Sequence, residues 1–199
     1  RSTQGVSSAA SDVYKRQIED ATVNATANGK QVNVRAEDKS TVNTIAGAGT
    51  GSGGLAIGAS TAFNYIGGNP DDPASSDRNL IKAFVKNSTV NAYELVVNAN
   101  SSSDINNLSF AGGGSGGASG AGALSLNWIR KTIDARVTGS DLNLSGDLLM
   151  SSDDSSGMHS IAAQGNGAGG YSIGAAVAYS DIANKIDCII DEGSDVDVT

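Results

Sequence analysis

The chain is poor in most of the residues that build a globular core or a reactive centre. It has one cysteine, one histidine, one tryptophan, three phenylalanines and two prolines among 199 residues. A single cysteine excludes an intrachain disulfide framework, and so few large side chains give a compact globule little area to bury. No apolar run reaches the length of about 18 residues that a membrane-spanning helix needs, so we expect no membrane insertion of this segment.

Positive charge is also scarce, because 13 lysines and arginines face 21 acidic residues and the net charge is −8. Without a basic stripe to neutralise phosphates, the chain is not expected to bind nucleic acid. The glycine runs contain no aspartate, which argues against a calcium-binding β-roll. His159 is the only histidine and has no nucleophile near it in sequence. We therefore predict no catalytic residue, no metal site and no cofactor, and we do not expect an enzyme.

A long repeat dominates what is present. The blocks Ile-Lys-Ala-Phe-Val, Ile-Asp-Ala-Arg-Val and Ile-Asp-Cys-Ile-Ile begin at Ile81, Ile133 and Ile186, which are 52 and 53 residues apart. An insertion from Asn69 to Leu80, which carries both prolines, lies before Ile81 and lengthens the earlier interval, from Val23-Asn24 to Val90-Asn91, to 67 residues. A fixed period of this size is typical of stacked architectures, in which each unit buries its apolar face against its neighbours. The predicted units are 18–80, 81–132, 133–185 and a partial unit 186–199.

Within a unit, short stretches alternate apolar and polar residues and are separated by asparagine, serine and glycine. This period of two predicts half-buried strands, and no segment has a sustained helical period. The prediction is an all-β fold, a right-handed parallel β-helix or β-solenoid, forming a single segment over residues 18–199. We expect two or three turns per unit and seven to ten turns in all, a rod about 35–50 Å long at about 4.8 Å per turn. Asn24, Asn91 and Asn143 share a repeat position, but at two or three turns apart they would form no direct side-chain ladder.

The first residues do not follow the repeat. The stretch Asp12 to Gln17 matches the translation of the end of a transposase sequencing adaptor, and the repeat register starts at Ile18. We interpret residues 1–17 as an adaptor-derived, disordered tail. The remainder is expected to be a window from a longer, metagenomic gene.

Three other patterns follow the repeat and are interpreted structurally. The fingerprint Gly-x-Gly-x-x-Gly occurs at Gly49, Gly112 and Gly165, in step with the period, so close backbone approach at tight corners explains it better than dinucleotide binding. Cys188 occupies the position of two alanines and is expected to be a small inward-facing residue. His159 occupies the position of two asparagines, on the side of the loops.

Two features are candidates for a surface contact. The sequence Phe63 to Ile66 aligns with Leu126 to Ile129, so if the two isoleucines face inward, Tyr65 and Trp128 face outward. Exposed aromatic rings can stack on sugars or anchor a protein partner, although they could also cap a corner of the coil. Asp71 and Asp72 lie in the insertion, and insertions in solenoids map to surface loops. Their alternative interpretation is solvated turn acids.

The repeat resembles a known family of exported proteins. The residues that carry the resemblance are Ser88-Thr89-Val90-Asn91-Ala92, Val32-Asn33-Val34-Arg35-Ala36, Ile57-Gly58-Ala59 and Ile173-Gly174-Ala175. They are similar to repeats of large bacterial exoproteins of the leukotoxin type, within the wider class of haemagglutinin-like adhesins and type V secretion (autotransporter) passengers. The resemblance covers nearly all of residues 18–199.

The resemblance implies a secreted or surface-exposed β-helical rod, a virulence-type adhesin or leukotoxin-like exoprotein at the bacterial outer cell surface. Its partner would be a protein or glycan on a host or neighbouring cell, and the rod would be monomeric. An alternative from another class is a polysaccharide-active β-helix enzyme, a lyase or hydrolase, which would need two carboxylates on one face.

Overall fold

The computed structural model describes residues 3–9, 13–68, 78–191 and 193–199, and all regular structure in them is β-strand. No helix among these residues is long and apolar enough to cross a membrane. The strands are β1 Thr3–Ala9, β2 Val13–Glu19, β3 Thr22–Ala25, β4 Gln31–Ser52, β5 Leu55–Ile66, β6 Asn79–Lys86, β7 Thr89–Ala92, β8 Glu94–Ser115, β9 Ala118–Ile129, β10 Lys131–Thr138, β11 Asp141–Leu144, β12 Leu148–Asp154, β13 Gly157–Ala168, β14 Tyr171–Ile182, β15 Lys185–Ile190 and β16 Asp195–Val198.

The strands form four open sheets, and the chain visits the sheets in a fixed order. The short sheet contains β3, β7, β11 and β16, and the long sheet contains β4, β8, β12 and β13. The return sheet contains β1, β5, β9 and β14, and the base sheet contains β2, β6, β10 and β15. Every pairing between described strands is parallel. The predicted all-β class with parallel sheets is therefore confirmed.

The register shows how far the chain travels between neighbouring strands. Ile81 pairs directly with Ile133, and Ile133 pairs directly with Ile186. One repeat period is thus a single circuit through the four sheets, and the predicted two or three turns per unit are wrong. Since no sheet formed by the described strands is more than four strands deep, the stack measures only about 15 Å from first to last strand. Each circuit takes about 53 residues because it contains strands as long as 22 and 12 residues. The polar and glycine-rich stretches of these strands look like turns in the sequence, which is why more turns per unit were predicted.

Because one repeat makes a single circuit, equivalent asparagines lie on neighbouring strands and are in contact, against the expectation that they would be too far apart. Asn91 Nδ2 donates to Asn24 Oδ1 at 2.7 Å, and Asn143 Nδ2 donates to Asn91 Oδ1 at 2.9 Å. These residues form an exposed amide ladder along the short sheet, because in-register parallel strands place identical side chains one strand spacing apart.

The structure also differs from the disorder predicted for residues 1–17. Thr3–Ala9 pairs with β5, and Val13–Glu19 pairs with β6, both in parallel register. The open edge of a sheet offers unpaired amide and carbonyl groups that an extended segment can satisfy without a particular side-chain pattern. Residues 1, 2 and 10–12 lie outside the described part of the chain, and the adaptor origin of this stretch stays a prediction.

The main apolar core lies where the base sheet, the short sheet and the first half of the long sheet face one another. Its fully buried side chains come from equivalent positions of successive circuits, among them Ile81, Ile133, Val85, Val137, Val90, Leu142, Leu95 and Val97. Close stacking of β-branched and small side chains explains how a chain with so few aromatics buries a core.

Beyond this core each circuit extends into a thin blade, which we define as residues 42–66, 105–129 and 158–182. In the blade the second half of the long sheet packs on the return sheet, β4 on β5, β8 on β9 and β13 on β14. At its tip a Cβ added to Gly116 would lie 2.7 Å from Gly53 O, and one added to Gly169 would lie 2.6 Å from Gly116 O. The tips of successive circuits therefore stack only because they are glycines.

A buried ion pair lies where the blade joins the main core. Lys131 Nζ is 2.5 Å from Asp38 Oδ2 and 2.8 Å from Ser101 Oγ, and it also bonds Ser103 Oγ. The side chains of Lys131 and Asp38 are both fully buried. Such a pair survives burial only when charge and hydrogen bonding are both satisfied, so it fixes how the base sheet faces the long sheet.

We predict that Lys131→Met destabilises the fold by about 3–5 kcal/mol, because it leaves the Asp38 carboxylate buried and unpaired. The double variant Lys131→Met with Asp38→Leu should recover most of that loss, since both charges are then absent. Urea unfolding followed by far-UV circular dichroism measures both effects. Lys39→Met, at a largely exposed lysine, is the control and should change stability by less than about 0.5 kcal/mol. A Lys131→Met protein as stable as the parent would contradict this role.

Candidate functional site

Apart from the buried Ile66 and Ile129, the return sheet carries its large side chains on the outside and its smaller ones inside. Ser125, Asn127 and Ala62 point into the blade and are buried. The outward side chains of β5, β9 and β14 include five large residues in two adjacent columns, which we call the aromatic face: Phe63, Tyr65, Leu126, Trp128 and Tyr179. A sheet that buries serine and asparagine while it exposes rings inverts the usual pattern, and such exposure marks a contact surface.

The predicted aromatic candidates, Tyr65 and Trp128, lie side by side on the outer surface of the return sheet. Ile66 and Ile129 are fully buried, so Tyr65 and Trp128 lie on the opposite, outer side, paired across neighbouring strands. Both rings are half-buried. Trp128 contacts Tyr179 with ring centroids 6.1 Å apart and planes tilted by 52°. The geometry is that of a tilted aromatic pair, and Tyr179, at 49% exposure, is more exposed than Tyr65 or Trp128.

A buried amide network holds the aromatic face from behind. Asn64 Nδ2 donates to Asn127 Oδ1 at 2.8 Å, and Asn107 Nδ2 donates to the same oxygen at 3.0 Å. Thr44 Oγ1 donates to Asn64 Oδ1 at 2.5 Å. Because Asn64 and Asn127 alternate with the outward rings along β5 and β9, these bonds tie the return sheet to the long sheet. They hold the strands that carry the rings rigid.

The corner next to the aromatic face is braced by two arginines. Arg130 Nη2 lies 2.5 Å from Asp181 Oδ2, the carboxylate of the residue that follows Trp128 in its column. Arg78 Nη1 donates to Ala183 O at 2.6 Å and to Lys131 O at 3.3 Å, so it spans neighbouring circuits. The cationic corner borders the rings on the side where the insertion enters and leaves.

The insertion begins beside the same face. Residue 69 follows Ile66 by three positions, and the chain is described again from Arg78. The candidate residues Asp71 and Asp72 lie outside the described residues. The structure thus brings Tyr65 and Trp128 together, whereas the acidic candidates have no described position.

The charge pattern of the blade is a signal that the repeat analysis missed. In the three blade segments Asp181 is the only charged residue, although the chain carries 13 basic and 21 acidic residues. The blade also holds most of the exposed large apolar side chains, 11 of the 15 among the described residues. The three nearly uncharged blade segments can be recognised in the sequence once the length of one circuit is known.

The remaining reactive side chains lie in three separate places. His159 extends the column of Asn43 and Asn106, as its repeat position predicted, but this column lies within strands β4, β8 and β13 of the long sheet and not on the side of the loops. Cys188 follows Ala83 and Ala135 on the base sheet, also as predicted, and is exposed on the last circuit. No group of three or more histidine, cysteine or acidic residues able to hold a metal occurs in the described part of the chain.

The outer surface of the base sheet is an ion-paired surface. Arg136 contacts both Asp134 at 3.3 Å and Asp191 at 2.5 Å, and Lys185 lies 2.8 Å from Asp187. The hydrogen bond to Asp191, ahead of the charge of Asp134, raises the pKa of the Arg136 guanidinium. These charges are mutually neutralised, so this surface offers an anionic ligand less than its lysines and arginines suggest.

Comparison with known proteins adds no relative: no family model, no curated protein and no solved structure matches the chain.

We predict slow alkylation of Cys188 near neutral pH, despite its exposure. Burial, followed by the charges of Asp134 and Asp153, raises the pKa of its thiol, so less reactive thiolate is present at a given pH than in a free cysteine. Iodoacetamide labelling followed by mass spectrometry across pH 7–10 measures this, with a cysteine peptide as reference. Asp153→Asn removes one negative charge and should speed the reaction, whereas the distant Asp141→Asn should not. Labelling as fast as that of the peptide would contradict the prediction.

Proposed function

We propose that the chain is a structural and interaction segment of a secreted or surface-exposed bacterial adhesin or leukotoxin-like exoprotein. In this proposal it is a right-handed parallel β-helix with one repeat of about 53 residues per turn. It lies outside the cell or on the outer cell surface. The resemblance of its repeats to haemagglutinin-like and type V secretion passengers supports the assignment, and so does the single-circuit register.

The observation that carries the proposal is that the return sheet buries polar side chains and carries aromatic rings on its outer side. The sheet buries asparagine and serine, whereas Tyr65 and Trp128 are half-buried on its outer side and Tyr179 is exposed. This arrangement leaves apolar area in water, which costs roughly 25 cal/mol per Å². A surface that retains this cost is explained when a partner covers it. Aromatic rings beside arginine and amide groups suit the apolar faces and hydroxyls of a glycan, or the anchor residues of a surface protein.

Contact without catalysis fits this surface best. Hydrolysis of a glycosidic bond uses two carboxyl groups about 5–10 Å apart. Asp181 is the one carboxylate in the columns of the aromatic face, and Arg130 binds it. One carboxylate, already engaged by a guanidinium, does not supply the pair of carboxyl groups that this reaction uses. We therefore propose that the segment binds and displays, and that it has no catalytic step.

We predict that Trp128→Ala weakens binding of the chain to its cell-surface partner by at least about tenfold, as expected of a central aromatic anchor. Binding is measured with the labelled 199-residue chain on a glycan array and on intact epithelial cells. Phe84→Ala is the matched control, because Phe84 points outward from the base sheet, away from the aromatic face. Equal binding by the parent and the Trp128→Ala chain would rule out this surface.

A second prediction concerns the insertion. In the next circuit Arg130 alone separates β9 from β10, so replacing residues 67–78 by a single arginine copies a connection that the fold already uses. If the insertion contributes to the contact, the shortened chain should keep its circular dichroism spectrum and lose binding by about tenfold. Undiminished binding by a folded, shortened chain would remove the insertion from the proposal and leave the aromatic face.

A further inference from the structure

The outer surface of the long sheet carries an aliphatic ridge, on the side of the blade opposite the aromatic face. The ridge is a column of three paired residues, Ile45, Leu108 and Ile161. They are 76%, 38% and 62% exposed. Branched aliphatic side chains stacked one strand spacing apart form a continuous rib that runs across all three strands of this part of the sheet.

A furrow runs parallel to the ridge, four residues further along the strands. It is formed by the paired glycines Gly49, Gly112 and Gly165. A Cβ added to Gly49 or Gly165 would meet no atom within 4 Å, and one added to Gly112 would meet only Gly165 O at 3.5 Å. The space above the furrow is therefore empty, and side chains would fit there without disturbing the fold.

A third column of paired residues lies between the ridge and the furrow. It contains Gly47, Phe110 and Ala163. A Cβ added to Gly47 would overlap the end of the Phe110 ring at 2.4–2.8 Å, so the ring lies over the glycine instead of standing above the sheet. The strip between ridge and furrow thus carries one ring, 46% exposed, that lies over Gly47. The ridge and the furrow are about 13 Å apart along the strands.

We propose that this surface binds a second copy of the chain through a two-fold axis parallel to the stack, centred on the column of Gly47. A half-turn about that axis reverses the strand direction and keeps each circuit at its own level. It places Ile45 opposite Gly49 of the second copy, Leu108 opposite Gly112 and Ile161 opposite Gly165. The contact is reciprocal, since each ridge enters the other copy's furrow, which is the property that an isologous interface requires.

Charge also favours a second copy as the occupant. A net charge of −8 makes two copies repel each other, yet residues 42–54, 105–117 and 158–170, which form this half of the blade, contain no lysine, arginine, aspartate or glutamate. The blade is where two chains approach at the lowest electrostatic cost. The inference replaces the monomeric rod predicted from the sequence, and it leaves the aromatic face free for a partner.

Analytical ultracentrifugation of the 199-residue chain tests the proposal. We expect a monomer–dimer equilibrium with a dissociation constant of about 1–100 µM, the range of a small interface. Leu108→Lys puts a charge in the furrow of the partner copy and should weaken dimerisation at least about tenfold. Gly49→Leu and Gly165→Leu make the surface more apolar but fill the furrow, and each should also weaken dimerisation about tenfold.

The matched controls lie on the aromatic face. Leu126→Lys and Gly122→Leu are the same changes at outward positions of the return sheet, and a Cβ at Gly122 would meet only Ala175 O at 3.9 Å. Both should leave the dimer constant within about twofold. Stronger association of the Gly165→Leu chain would indicate unspecific apolar adhesion, and association insensitive to every variant would indicate stacking of open sheet edges. Either result overturns the proposal.

Two further outcomes would also overturn it. One is a parent chain that stays monomeric at about 100 µM. The other is a monomer that co-sediments with phosphatidylcholine vesicles and loses this property in the Leu108→Lys variant, which would assign the ridge to a lipid surface. Circular dichroism of each variant establishes that it is folded. Gly49→Leu and Gly165→Leu keep the test decisive if the lysine variant fails to fold, because both occupy open space.

Discussion

Parallel, in-register hydrogen bonding between successive circuits is the constraint on which the rest of this molecule depends. Each backbone ladder fixes every residue opposite its equivalent one circuit later, so a choice made at one position is repeated in a column. Ile81, Ile133 and Ile186 stack in this way, and Asn24, Asn91 and Asn143 become an amide ladder. A column of like residues strengthens whatever property one residue has, whether apolar, amide or small.

The blade shows what this constraint does where the two sheets come close. Serine, alanine, glycine and asparagine inside let the long and return sheets approach each other, because large side chains would separate them. Apart from the buried Val42, Ile66, Ile105 and Ile129, the larger residues lie on the outer surfaces, with rings on one side and an aliphatic ridge on the other. The thin interior and the apolar exterior are one arrangement, and they make the blade a surface for contact more than a core.

Buried polar groups fix the register of the two sheets that face each other in the interior. An apolar filling of alanine and valine would let the two sheets slide along each other by two residues at little cost. The ion pair of Lys131 and Asp38 and the hydrogen bonds from Asn64 and Asn107 to Asn127 form at one alignment only. Their burial costs solvation free energy, and in return the facing sheets have a single register.

Much of the fold could be predicted from the sequence, and the blocks at Ile81, Ile133 and Ile186 show why. Strand alternation and a fixed period are local properties of the chain, so the all-β class and the parallel stacking follow from the residues alone. The inward positions of Ile66 and Ile129 were a condition of the sequence-based prediction, and the structure supplies them. The length of the circuit did not follow, because the stretch from Glu94 to Ser115 is polar and glycine-rich and looks like turns. Only its neighbours on both sides make it one strand of 22 residues.

The candidate surface, like the fold, could be predicted from the sequence only in part. Alternation along a strand places Tyr65 and Trp128 on the side opposite two buried isoleucines, which sequence alone determines. That Trp128 meets Tyr179, that Lys131 reaches Asp38 and that a ridge lies beside a furrow depend on residues 51 to 93 positions apart. Such contacts are decided by which circuits and which sheets face each other, and this is a property of the folded stack that no local pattern encodes.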